Sequence, residues 1–200
     1  MSAAKELVDF DAEGRNLLSR LNLELQQRGR GDWNALDSIF RNSETGGTIY
    51  VGNQSAAQNL SVLRSHNITH VVNCTHGPSK IANYHAGTLT YFEFAISNWH
   101  NCISGSDPDV LFAFVNPLFA FIDSALANGT SVLVHCLAGA HRAGTTGCLC
   151  LMHYANMDVS TAIASAKRLR PVIDPIGHLP ELLNRYQIAR RMKTAATTKS

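Results

Sequence analysis

Two hundred residues, 45% of them apolar, suffice for one substantial hydrophobic core, so a single domain with modest extensions is expected. A formal net charge of +2 exerts no long-range pull toward nucleic acid or an acidic membrane, and neither is expected as a partner. No run is free enough of polar residues for a membrane span, the N-terminus has no signal-peptide pattern, and five cysteines without paired short spacings suit a reducing interior.

Residues 1–45 read as a polar N-terminal extension with helices expected over Glu13–Gln27 and Trp33–Phe40. Gly29, Gly31 and the Gly46-Gly47 pair look like boundaries. The main domain is expected over residues 46–192, ahead of a frayed tail at 193–200. It opens on a short strand, TIYVGN (48–53). A helix follows that Ser55 is placed to cap, with Ala56, Leu60 and Leu63 near one face. ITHVVNC (68–74) and LTYFEFAI (89–96) read as the second and third strands. The stretch from Leu111, LFAFVNPLFAFIDSALANG, holds Asn116, Pro117 and Asp123 and reads as a buried helix or two helical pieces.

SVLV (131–134) is a fourth strand. It lacks polar alternation after its first residue, as expected of a central strand covered on both faces. The segment after Arg142, AGTTGCLCLMHYANM, reads as a small-residue apolar helix. Gly144 and Gly147 cost it helix propensity, which close backbone packing would offset. Cys148 and Cys150 point to different sides of that helix, which suits packing better than metal binding. DVSTAIASAKRLRP is the next helix, capped by Asp158 or Ser160 and ended before Pro171, and HLPELLNRYQIARRM is a final amphipathic helix.

The chemistry concentrates in TSVLVHCLAGAHRAGTTG (130–147). A cysteine directly after a buried strand, with the next residues curling around it, sits among backbone N–H groups and at the positive end of the following helix. Both favour the thiolate that acts as nucleophile, and both form a cradle for phosphoryl oxygens. Gly139 gives the curl its freedom, and Arg142 supplies a fixed two-pronged contact with a phosphoryl group. The constellation predicts attack of Cys136 on phosphorus, a phosphocysteine intermediate, and hydrolysis by water. The bare Cys-to-Arg spacing is common by chance; the strand, the His135-Cys136 pair, the central glycine and the helix opening at the arginine carry the reading.

VLVHCLAGAHRAG resembles the signature loop of the cysteine-dependent dual-specificity phosphatases, a branch of the protein tyrosine phosphatase superfamily. The likeness runs from about Ile49 to Arg190 and includes IYVGNQSAA, LRSHNITHVVN, Arg170-Pro171 and DPIG. It implies an α/β fold, a small central mixed sheet flanked by helices, working as a monomer in the cytoplasm or nucleus. By the same resemblance Cys136 is the nucleophile and Arg142 the phosphate-binding arginine. Leu137, Ala138, Gly139, Ala140 and His141 hold the phosphoryl oxygens, and His135 orients the loop and tunes the cysteine.

Two positions depart from that pattern. Ala143 stands where the family has a Ser or Thr hydroxyl that helps the thiolate leave during hydrolysis of the intermediate, so a slow second half-reaction is expected; Thr145 and Thr146 are possible substitutes or simply local backbone partners. Ser97-Asn98 stands where the family has an acidic Asp. Asp107 is the nominal proton donor, with Asp109 and His100 as further candidates, although both Asp residues are equally placed to cap the next helix. An active phosphatase with an unusual acid and a weakened one that binds phosphorylated partners are therefore both in view.

The loop carries no Lys or Arg before Arg142. That suits a monophosphate on a protein Tyr, Ser or Thr better than a polyphosphorylated lipid or RNA end. Trp99, flanked by polar residues, is a candidate to line an entrance, and Lys167, Arg168 and Arg170 either meet an acidic segment or form a solvated face. Nine histidines form no zinc-type helix pair, since His66 and His70 flank the start of a strand, and no metal or cofactor is expected. Cys74, ending a neighbouring strand, is the expected disulfide partner of Cys136 under oxidation.

Overall fold

The structure, a computed structural model, describes residues 8–28, 34–103, 105 and 107–197. Helix α1 (Phe10–Arg28) precedes strands β1 (Leu36–Arg41) and β2 (Thr48–Gly52). Helices α2 (Gln54–Gln58) and α3 (Leu60–Ser65) lead into β3 (Ile68–Asn73) and β4 (Thr90–Glu93), and α4 (Trp99–Cys102) and α5 (Pro108–Leu126) lead into β5 (Ser131–His135). Helices α6 (Arg142–Tyr154), α7 (Val159–Leu169) and α8 (Leu179–Thr197) follow. The strands form one mixed sheet in the order β1-β2-β5-β3-β4, with β1 antiparallel to β2 and the remaining neighbours parallel.

The apolar run at 131–134 becomes the middle strand because it is covered from both sides. Every residue of β5 is buried. Its alternation sends Val132 and Val134 into the core with Val115, Ile122 and Leu149, and Leu133 to the opposite face with Ala57, Leu63 and Val71. Fully burying such side chains contributes about 1.5–3 kcal/mol each. Helix α6 is buried from Arg142 to Met152. Its small residues let it approach the sheet: a Cβ on Gly147 would stand 2.8 Å from Val51, and one on Gly144 would stand 3.0 Å from Ile173. The helix expected from Leu111 is one piece with Pro117 inside it. It is long and apolar enough to cross a membrane, yet Leu111, Val115, Leu118 and Ile122 are buried in the core.

Three expectations change. The segment expected to be helical at Trp33–Phe40 is strand β1, with Trp33 itself outside the described residues. Leu36 and Ile39 are both buried although three apart, because the register shifts between Ser38 and Phe40; that irregularity gave a strand the spacing of a helix. One edge strand of the sheet thus lies within residues 1–45. Asn53, rather than Ser55, caps α2 by accepting from the Ala56 amide at 2.9 Å, and Asn59 starts a separate α3. Residues 193–197, expected as frayed tail, continue α8; residues 198–200, like Gly29 and Gly31, lie outside the described residues.

Candidate active site

The parallel register aligns Gly52, Asn73 and His135 across three neighbouring strands, so the loop after β5 emerges where the carboxyl ends of β2, β3 and β5 meet. Cys136 is its first residue and Arg142 opens α6 at its other end, both buried. Between them the carbonyls all turn outward. Leu137 O accepts from the Gln54 amide at 3.1 Å and Ala140 O from the Asp174 amide at 3.1 Å. Gly139 O accepts from Arg170 Nε at 2.9 Å, Ala138 O from Arg170 Nη2 at 3.4 Å, and His141 O from the Thr145 hydroxyl at 2.7 Å. Among the described residues none of the Leu137–His141 N–H groups is engaged. Gly139 holds φ at +67°, and a Cβ there would lie 2.5 Å from Gly52 O and 2.8 Å from Arg170 Nη2, so no other residue fits.

Arg170 is therefore a buried anchor rather than part of an exposed peptide-binding cluster. Its Nη1 also bonds Asn34 O at 3.1 Å and pairs with Asp37 on β1 at 2.6 Å. Lys167 pairs with Asp174 at 2.9 Å on the surface. His141 Nδ1 contacts Asp174 O at 2.7 Å, adding a second tie to the same segment.

His135 is wholly buried and its ring nitrogens have no hydrogen-bond partner of ordinary geometry. Burial lowers its pKa to about 4, with the Cys136 backbone opposing and the Arg142 charge assisting, so the ring is neutral. Its carbonyl accepts from the Cys74 amide at 2.9 Å, which places Cys74 beside the nucleophile position. Cys74 is a free thiol in contact with the Thr146 hydroxyl at 3.4 Å, and burial pushes its pKa well up. Ala143 is fully buried. The hydroxyls of Thr145 and Thr146 are committed to the carbonyls of His141 and Arg142, as local helix partners.

The candidate acids lie elsewhere. Asp107 is exposed and caps α5, its carboxylate accepting from the Asp109 amide at 2.9 Å; Asp109 is exposed and faces Lys193 at 3.8 Å. Among the described residues no interaction joins either to the Cys136 loop. Asn98 accepts from Asn101. Trp99, expected at an entrance, is buried: its Nε1 donates to His178 O at 3.3 Å and Arg185 lies 5.1 Å from its ring centre. His100 is exposed and meets the His178 ring edge-on at 4.6 Å. The carboxylate that does reach the site is one the sequence reading missed, Asp11 on α1, which forms an ion pair with Arg142. Its partner is 131 residues away, and no local pattern signals such a pairing.

Between a buried cysteine and an arginine the loop thus has its carbonyls bound and, among the described residues, its N–H groups unengaged, an arrangement chemically suited to a tetrahedral oxyanion. A family model for the dual specificity phosphatase catalytic domain matches residues 49–188, and the chain belongs to that family. Mouse dual specificity protein phosphatase 19 is 31% identical over 142 residues, 71% of this chain and 60% of the relative. Human dual specificity protein phosphatase 7 is 32% identical over 128 residues, 64% of this chain and 28% of the relative. The chain thus spans less than two thirds of the length of either. In fold it is similar to the crystal structure of human DUSP28, with a TM-score of 0.56 at 20% identity, covering 80% of this chain and 97% of that one.

Proposed function

We propose that the chain hydrolyses phosphomonoesters on phosphorylated proteins by covalent catalysis at Cys136. The observation that carries this reading is the loop backbone, whose carbonyls from Leu137 to His141 are all bound while its N–H groups are left unengaged among the described residues. Those N–H groups and Arg142 would hold the non-bridging oxygens of a phosphate. The Cys136 thiolate attacks phosphorus, the ester P–O bond breaks, and the leaving oxygen takes a proton. Water then attacks the phosphocysteine, releasing inorganic phosphate and regenerating the thiolate.

A second reading, a slow or phosphate-binding member of the family, draws on specific features. Asp107 and Asp109 are occupied away from the loop, and Ala143 offers no hydroxyl to the departing thiolate. Stopped-flow hydrolysis of an aryl phosphate, following aryl alcohol and phosphate separately in wild type and Cys136→Ser, tests both. The enzyme reading expects a Cys136-dependent burst of aryl alcohol with slower phosphate release; the absence of any Cys136-dependent product would leave phosphate binding alone.

Cys74 extends the same reading to oxidation. Peroxide would take two electrons from the Cys74 and Cys136 thiols, giving a disulfide and water. Mass spectrometry of peroxide-treated protein should recover a Cys74–Cys136 peptide, and recovery of Cys136 only as its oxyacids would remove this step.

A further inference from the structure

Helix α1 begins at the cradle. Asp9 caps it, accepting from the amides of Asp11 and Ala12 at 3.0 Å each, which fixes Phe10, Asp11 and Gly14 on its first turns. Those residues close the site. Asp11 pairs with Arg142, and the Phe10 ring lies 5.9 Å from the Arg142 guanidinium carbon and packs edge-on against His178 at 5.5 Å. A Cβ on Gly14 would stand 3.3 Å from Leu137 Cδ2 and 3.7 Å from Ala138 Cβ, so the helix backbone rests directly on the loop. With this cover in place Cys136 is 2% exposed and Arg142 4% exposed.

Resting on the reading of this loop as a phosphate site, we propose that α1 is a built-in competitor for it. The Asp11 carboxylate is docked on Arg142 in the place of a substrate phosphoryl group, and the helix must leave before substrate binds. The carboxylate is ionised as this requires. Burial pushes its pKa upward, but hydrogen bonds from Ser79 and Arg142, with the charges of Arg142 and Arg15, outweigh that and hold it below the ordinary value.

The cover is made to be displaced. A carboxylate offers two oxygens and one charge, and no loop N–H among the described residues bonds to it. Arg142 Nε, buried, also has no hydrogen-bond partner among the described residues. A phosphoryl group, with more oxygens and more charge, engages what Asp11 leaves idle. The attachment is concentrated at one end of the helix. Further along α1 an open cleft lined by Leu18, Asn53, Gln54 and Leu137 separates it from the domain.

The test measures access to Cys136 in the full chain, by the rate of its alkylation with iodoacetamide and by the inorganic phosphate concentration that half-protects it. Two variants accompany wild type. Asp11→Ala removes the charge, and Gly14→Leu keeps the helix while forcing bulk against Leu137. Both are expected to alkylate faster and to need about ten- to a hundredfold less phosphate, the range set by releasing one charge-assisted contact. Unchanged alkylation and unchanged protection in both variants overturn the proposal and leave the phosphate site standing. Faster alkylation with no protection by phosphate in any form means the loop is no phosphate site, and both readings fall. Slower hydrolysis of an alkyl phosphate by Asp11→Ala, with phosphate protection unchanged, would make Asp11 a proton donor and also overturn the competitor.

Discussion

The loop Cys136–Arg142 and the segment Ser97–Asp109 follow two strands of the same sheet, β5 and β4, yet they are built in opposite ways. The first is bolted from behind, with Arg170, Asp174, Gln54 and Thr145 each taking a loop carbonyl. In the second, Asn98 serves Asn101 and Asp107 serves the first turn of α5, and neither braces the loop. On the proposed reading, the half that would bind and attack phosphate is preorganised, whereas Asp107 of the other half works as a helix cap and Asp109 faces Lys193. On this contrast the chain should handle esters whose leaving oxygen needs little help.

The contrast breaks first at Cys136. Cys136→Ser should lose more than about 10³-fold in aryl phosphate hydrolysis, the usual scale for removing a nucleophile, while its melting temperature stays close to wild type. Retained hydrolysis would move the chemistry off the loop. Next comes the bolt. Arg170→Met strands Asp37 and two loop carbonyls, and should cost about 3–5 kcal/mol in urea unfolding. Phosphate protection of Cys136 should weaken with it; a variant that lost stability but bound phosphate normally would show that the loop holds its shape unaided.

Acid should find the loop by another route. His135 is neutral in the fold with a pKa near 4, against 6.5 when exposed, so the unfolded chain binds a proton there that the native one refuses. Stability from this group is complete above about pH 6.5 and falls as pH drops toward 4, by about 3 kcal/mol at 1.36 kcal/mol per unit. His135→Gln should flatten that part of a stability–pH profile. The smallest effect belongs to the other segment. Asp107→Ala should cost about 1 kcal/mol for the lost cap and leave aryl phosphate turnover unchanged. A fall in turnover with alkyl phosphates alone would restore Asp107 as the acid.

What the sequence revealed follows from how local each signal is. SVLVH is a run of consecutive buried residues, and the loop after it carries its buried cysteine, its required glycine and its arginine within seven positions, so strand and loop geometry were both legible. The strand β1 was hidden because its bulge imitates a helical spacing. Asp37 and Asp11 meet their arginines across 133 and 131 residues, and an acid in a polar stretch looks the same whether it faces solvent or a buried guanidinium. Trp99 misled for a related reason: polar neighbours flank it in sequence, while the residues that bury it, His178 and Arg185, come from the far end of the chain.

The Asp37–Arg170 pair makes an outermost strand answerable for the innermost chemistry. β1 has a single neighbour in the sheet and a bulge in that one ladder, so a local opening can shed it without breaking a second ladder. Each such opening would unfasten the loop while the rest of the core stays folded. Warming should therefore silence the protein in two stages, with activity fading over a range in which the bulk of the helices has yet to melt.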